Sequence, residues 1–459
     1  MALTSSKDVW RDELYIQVIK QLTLNKHKLG VRRAWELLCV YTSSFLPSSR
    51  LDPVLVQFID RNGKSKYESI SKYADFCKSA LLQIRINGQR KCPPTQIEIE
   101  SLQQLRPLML KVFFPAGFSP EYRTISVTSS TTALETVKAL LPKLGLERRN
   151  FYALYKVLSN GETFPVPDTT FIADALWEIE EEIAKVKEFQ GLTYRIEFRK
   201  KLWLQQSDDE SSMSVENLIF TQSLTPLRAG FFDFDFEDYI SLAALQHRFF
   251  SDTLPKDIPS LVKTYIPIPK DVKKGELEKE FLKSHKYHEG MNRDEIVIAF
   301  NNIIRESHLY GTQYFPATQS IESSMPHKIL IGVSRECISI VNPNSKEVIH
   351  AYRFSEVGYW SSNKTSFAMK VGNMADETRF VCDTRHGKEI TDLLENYVAT
   401  TVDSRKKAQQ RRQSLNTARR LQQHQFMLRG SSSNSLPRLQ QTSPSLSRKV
   451  FVKDEPETS

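Results

Sequence analysis

No stretch of this 459-residue chain approaches the roughly twenty consecutive apolar residues that a membrane-spanning helix requires. The first residues, Met1-Ala2-Leu3-Thr4-Ser5-Ser6, carry no apolar core of the kind that marks a secretory signal. Together the two absences lead us to expect a soluble, cytoplasmic protein. Cysteine is scarce: Cys39, Cys77, Cys92, Cys337 and Cys382 are odd in number, far apart and mostly flanked by apolar residues. That distribution argues against a disulfide framework or a zinc site and reads as reduced core thiols.

Motifs for chemistry are also missing, and neither an enzyme nor a cofactor is expected. Asn62-Gly63-Lys64-Ser65 has the end of a phosphate-binding loop, but Phe58 stands where its first glycine belongs, so a turn is expected. His285 and His288 are three apart with no third ligand in sight, which reads as a solvated helix face. Glu180-Glu181-Glu182 reads as a helix surface rather than paired catalytic acids. The net charge of +9 would imply a nucleic-acid partner if it were spread over the chain. It is not: Asp403 to Ser459 holds 12 Lys and Arg against 4 Asp and Glu, leaving 51 against 50 for residues 1–402. No nucleic acid is expected. The basicity belongs to a Ser-, Gln- and Arg-rich tail with too few apolar residues to order itself.

What is present is periodicity, in blocks. Leu108 to Phe114 and Thr124 to Thr128 alternate as a hairpin. Thr132-Ala133-Leu134-Glu135 is a capping box opening a helix that Gly145 closes, with Pro142 expected to kink or shorten it. Strands at Phe151–Val157 and Glu162–Val166, a helix over Phe171–Phe189 and a closing strand Tyr194–Phe198 complete the β-grasp order of a ubiquitin-like unit. Before it, Asp8–Leu22, Arg32–Thr42, Leu51–Ile59, Tyr67–Ile84 and Thr95–Leu105 carry helical spacing, with Trp10, Leu14, Tyr15, Val18 and Leu22 on one face of the first. The junction is so short that the two domains are expected to be held rigidly together. After it, residues 213–310 read as helical, then seven strands from Tyr314 to Asp383 are followed by a helix over Gly387–Thr401 striped by Ile390, Leu393, Leu394, Tyr397 and Val398. That last block is the plan of a pleckstrin-homology-like sandwich.

β-grasp, helical bundle and capped sandwich in that order resemble a FERM domain. The preceding helices carry Arg11-Asp12-Glu13-Leu14-Tyr15-Ile16-Gln17, Ala34-Trp35-Glu36-Leu37-Leu38, Phe45-Leu46-Pro47-Ser48 and Gly88-Gln89-Arg90-Lys91-Cys92-Pro93-Pro94, which resemble a myosin tail homology 4 domain. Trp360-Ser361-Ser362, Phe380-Val381-Cys382-Asp383-Thr384 and Asp392-Leu393-Leu394 are similar to the end of class VII myosin tails, and the tandem as a whole to class VII and XV tails. The resemblance implies a multidomain α+β chain. It runs as a helical domain over 1–107, a ubiquitin-like lobe over 108–204, a linker over 205–212, an acyl-CoA-binding-protein-like helical lobe over 213–310, a pleckstrin-homology-like lobe over 311–402 and a basic tail over 403–459. The helical domain lacks the first helices of the family pattern and no motor precedes it, so Met1 is expected to begin a fragment whose helical core is exposed.

The function so implied is a non-catalytic tail module that links peptide or membrane-protein cargo to the actin cytoskeleton, at the cell cortex or in actin-based protrusions. The alternatives are a phosphoinositide-binding FERM adaptor on anionic lipid and the tail of a plant-type kinesin or pleckstrin-containing adaptor. For the first reading we expect a partner peptide to add to the strand of Val357, Tyr359 and Ser361 and to pack against Ile390, Leu394 and Tyr397. Lys20, Lys26, Lys28, Arg32, Arg33, Arg90 and Lys91 are the candidates for a surface that meets the acidic tails of microtubules. In the tail, Arg405, Lys406, Lys407, Arg411 and Arg412 are expected to fold onto an acidic face, with Ser414 and Ser443 as phosphorylation sites that would weaken the contact.

Overall fold

The computed structural model describes residues 8–204, 212–251, 253–268, 272–320, 324–372, 378–402 and 406. The chain opens with five helices: α1 (Asp8–Leu22), α2 (Lys28–Thr42), α3 (Asp52–Gly63), α4 (Glu68–Asn87) and α5 (Gln96–Gln103). α2 begins four residues earlier than its apolar pattern implies, because the His27 ring accepts from the Gly30 N–H at 3.0 Å and caps the first turn. Its Trp35 is almost fully buried and stacks between Phe58 and Tyr73, at ring separations of 5.9 and 6.4 Å. Cys39 and Cys77 face each other in the same core. Trp10 departs from the expected buried face of α1, being half exposed, whereas Tyr15 and Val18 are buried.

The grasp unit follows with a five-stranded sheet. Its strands are β1 (Leu108–Phe113), β2 (Tyr122–Val127), β3 (Tyr152–Leu158), β4 (Thr163–Val166) and β5 (Tyr194–Lys200), in the order β2-β1-β5-β3-β4. β1 and β5 run parallel, as the β-grasp order requires. α6 (Ala133–Leu144) covers one face of the sheet, and the Thr132–Glu135 capping box forms as expected. Pro142 does not shorten it: the helix runs to Leu144 and closes at Gly145. So close to the helix end, the one amide hydrogen bond that proline removes is a small loss. α7 (Ile172–Lys185) completes the lobe.

A bundle of α8 (Met213–Arg228), α9 (Phe236–Phe250), α10 (Ile258–Tyr265), α11 (Lys274–Tyr287) and α12 (Arg293–Glu306) comes next. Here the histidines expected on a solvated face are buried: His285 meets His247 at 3.1 Å and His288 meets Ser241 at 3.2 Å. They fill the α9–α11 contact. The remaining strands, β6 (Gln313–Thr318), β7 (Lys328–Val333), β8 (Cys337–Val341), β9 (Val348–Arg353), β10 (Val357–Ser362), β11 (Ser366–Val371) and β12 (Thr378–Asp383), form one antiparallel sheet. Its order is β10-β11-β12-β6-β7-β8-β9, and β12 touches β6 at a single pair, Asp383 with Thr318. A last helix, α13, spans 387–402. By contact the chain divides into a unit ending at Tyr397 and a second beginning at Val398, in which the described residues are helical.

Candidate interaction surfaces

Among the described residues β10 pairs with β11 alone, which leaves the other side of its backbone without a strand partner. Such an edge is a template for an added strand. Tyr359 is 59 % exposed, Trp360 and Ser361 are partly exposed, and the pairing register slips between Val357 and Tyr359. The first turns of α13 flank this edge. Thr391 Oγ1 donates to Ser362 Oγ at 3.0 Å, and a Cβ on Gly387 would come within 2.6 Å of the Ser366 carbonyl oxygen. Only glycine lets the helix start so close to the β10–β11 turn.

The helix residues expected to line this groove do not. Ile390, Leu394 and Tyr397 are 0, 0 and 1 % exposed, and Tyr397 Oη accepts from the Trp203 N–H at 3.2 Å. Val357 is also buried. The stripe through Ile390, Leu393, Leu394 and Tyr397 is the core side of α13, and a partner cannot reach it. The positions turned toward β10 are Thr391 and, one turn on, the exposed Glu395. A spacing of four from Gly387 was their only signal in the sequence.

The seven basic candidates of the helical domain divide in two. Lys20, Lys26, Lys28, Arg32, Arg33 and Lys91 are exposed, with Arg32 held by Glu36 at 2.9 Å. Arg90 is not a surface residue at all. Its guanidinium lies between the carboxylates of Glu98 and Asp174, donating from Nε to Asp174 at 2.8 Å, and all three side chains are at most 3 % exposed. Asp174 also accepts from the Lys91 N–H at 3.0 Å, and Glu98 from the Thr95 N–H at 2.8 Å. Glu98 thus caps α5 while it neutralises Arg90. Since Asp174 sits in the first turn of α7, this buried triad fastens the five-helix domain to the grasp lobe.

Known domains follow one another along the chain between residues 1 and 402. The profile of the MyTH4 domain matches residues 1–101, an RA like domain 106–202, the FERM central domain 208–315 and a PTB domain of IRS-1 type 315–402. A solved human myosin 7b C-terminal MyTH4-FERM domain, in complex with the harmonin-a PDZ3 domain, has 27 % sequence identity and a TM-score of 0.68, covering 85 % of this chain and 79 % of its own. This chain is a MyTH4–FERM tandem. Among curated relatives, myosin-VIIa of Drosophila melanogaster is 27 % identical over 87 % of the chain and the kinesin-like protein KIN-14I of Oryza sativa subsp. japonica 23 % over 86 %. The tandem spans 18 % of the length of that myosin and 33 % of that kinesin. A Dictyostelium discoideum myosin VII MyTH4-FERM structure, at 19 % identity and a TM-score of 0.71, shares the fold over 86 % of this chain and 80 % of its own.

Within the FERM domain a cleft of about 830 Å³ opens between the lobes. On its floor, fully buried Glu197 accepts from Arg195 Nε at 2.6 Å and from Arg199 Nε at 2.7 Å. Both guanidinium groups are therefore already paired. Where the sandwich lobe meets the grasp lobe, His386 stacks on Phe164 at 5.1 Å and lies beside Phe315. Burial, aided by Arg385, pushes its imidazole down to about 4, so the ring is neutral at pH 7. A neutral group with a depressed folded value binds fewer protons than the unfolded chain between about 4 and 6.5, so its contribution is present above 6.5 and lost as pH falls through 4. We expect His386→Phe to flatten the loss of stability between pH 7 and 4 by up to about 3 kcal/mol, read from urea unfolding at each pH. A slope unchanged by the substitution would refute this. Among the described residues no cluster of three metal-ligating side chains occurs. Of the tail candidates only Lys406 falls among the described residues, where it is exposed; Arg405, Lys407, Arg411, Arg412, Ser414 and Ser443 lie outside them.

Proposed function

We propose that the tandem is a non-catalytic cargo-binding tail module, in which an extended peptide adds to the free edge of β10 and its side chains meet Tyr359, Ser361, Thr391 and Glu395. The observation that carries this reading is the open edge of β10 beside a helix seated by Gly387. Backbone pairing would supply affinity and alternate side chains specificity. The similarity to a myosin 7b tandem bound to a PDZ domain supports protein cargo in general. It also supports coupling of that cargo to a cytoskeletal motor, with actin-rich cortex or protrusions as the site of action. The phosphoinositide-adaptor reading is weaker for the FERM cleft, because Arg195 and Arg199 are tied to Glu197 and clustered free cations are what such headgroups need.

The test is selection of linear peptides from a displayed library on the full chain, followed by Ser361→Pro. Proline cannot donate and distorts an edge ladder, so binding of selected peptides should fall by about tenfold or more while thermal unfolding stays close to that of the parent. Peptides that bind the folded Ser361→Pro protein equally well would remove β10 as the site.

A further inference from the structure

The loop joining α1 to α2 and the first turn of α2 each carry an exposed leucine, in a stretch rich in cations. Leu24 is 96 % exposed and Leu29 51 %. Leu24 also sits at a φ of 55°, the left-handed region that a side chain of its kind rarely adopts. Its neighbours hold it there. On one side Thr23 Oγ1 donates to the Ile19 carbonyl at 2.7 Å and Asn25 Nδ2 to the Gln21 carbonyl at 3.0 Å. On the other, the His27 N–H donates to Asn25 Oδ1 at 2.9 Å before its ring caps α2. The loop thus holds an apolar knob outward in water, an arrangement with no packing function. Lys20, Lys26, Lys28 and Arg33 lie within four positions of Leu24 or Leu29 in the sequence, exposed and without an ion pair among the described residues; Arg32 meets the single carboxylate of Glu36.

We infer that this stretch is a membrane-contact site, in which Leu24 and Leu29 enter the headgroup boundary of a bilayer while its cations meet anionic lipid. Acidic protein tails, such as those of tubulin, are also complementary to the charge. They are hydrophilic, however, and would leave the leucines in water, whereas a lipid surface satisfies both features at once. Each cation near an anionic leaflet strengthens binding by roughly fivefold, and each leucine that leaves water by roughly tenfold or more.

The experiment places an environment-sensitive fluorophore on the full chain at Leu24→Cys, and in a second protein at Tyr287→Cys, which is 84 % exposed in the FERM helical lobe. Vesicles of phosphatidylcholine with about 30 mol% phosphatidylserine are then added. The inference expects a blue shift and rise in emission at position 24 and none at 287, and a drop of tenfold or more in vesicle affinity for Leu24→Ser/Leu29→Ser. Because both leucines are exposed, that variant should unfold at the parent's midpoint. Three outcomes overturn the inference: no vesicle binding, vesicle binding with unchanged emission at position 24, or microtubule binding that the leucine substitutions leave intact.

Discussion

Replacing Arg90 by alanine is expected to cost the tandem about 3–5 kcal/mol of unfolding free energy and to loosen the MyTH4 domain from the grasp lobe before either melts. The reason lies in what remains. Glu98 and Asp174 would be left as two carboxylates in a site from which water is excluded, with only backbone donors from Thr95 and Lys91 to stabilise them. The attraction a buried pair supplies is largely offset by the desolvation of its members, so the loss on truncation measures the stranded charges. This gives a control: Arg90→Met with Glu98→Gln and Asp174→Asn removes charge from the whole site, keeps the helix cap because glutamine serves in a capping box, and should recover most of the loss. Urea unfolding measures the totals, and hydrogen exchange at the Lys91 amide reports the local opening. If Arg90→Ala unfolds within about 1 kcal/mol of the parent, the triad is not what fastens the domains.

The triad also shows where reading the sequence reached its limit. Arg90 and Lys91 are adjacent and equally basic, and nothing in composition separates one that lies on the surface from one that donates to Asp174 of another domain, 84 positions away. Tertiary pairing decided it. Elements whose causes are local were legible: the capping box at Thr132, the stop at Gly145 and the run of seven strands that ends at Asp383. α13 lies between these cases. Its apolar stripe announced a helix, but an apolar stripe marks the core side, and the groove side is marked by small and polar residues such as Thr391 that any exposed face could carry. The buried histidines of the helical lobe failed for a related reason. His285 is satisfied by His247 on another helix, a partner that spacing along α11 could not reveal.

At Gly311 we expect the largest effect of any single methyl group. The residue follows α12 at a φ of +72°, and a Cβ there would fall 2.2 Å from the Cβ of Trp203, far inside any contact that real side chains make. Trp203 cannot step aside cheaply. Its N–H donates to Tyr397 Oη at 3.2 Å, its ring meets Tyr310 edge-on at 5.3 Å, and Gln313 Nε2 donates to the neighbouring Lys201 carbonyl at 2.7 Å. The end of the grasp lobe, the start of the sandwich and α13 therefore meet around one missing side chain. Gly311→Ala adds left-handed strain of about 1–2 kcal/mol to an overpacking cost of about 1–3 kcal/mol, a loss near 5 kcal/mol at the upper end. Gly145→Ala separates the two contributions, because Gly145 has a φ of +65° but nothing within 4 Å of its would-be Cβ. It should lose only the strain. Urea unfolding of both variants, with limited proteolysis between the lobes, makes the comparison: Gly311→Ala should be the less stable by more than 1 kcal/mol and cleaved sooner. Equal losses would mean that Trp203 yields freely and that the three-way junction does not hold the lobes together.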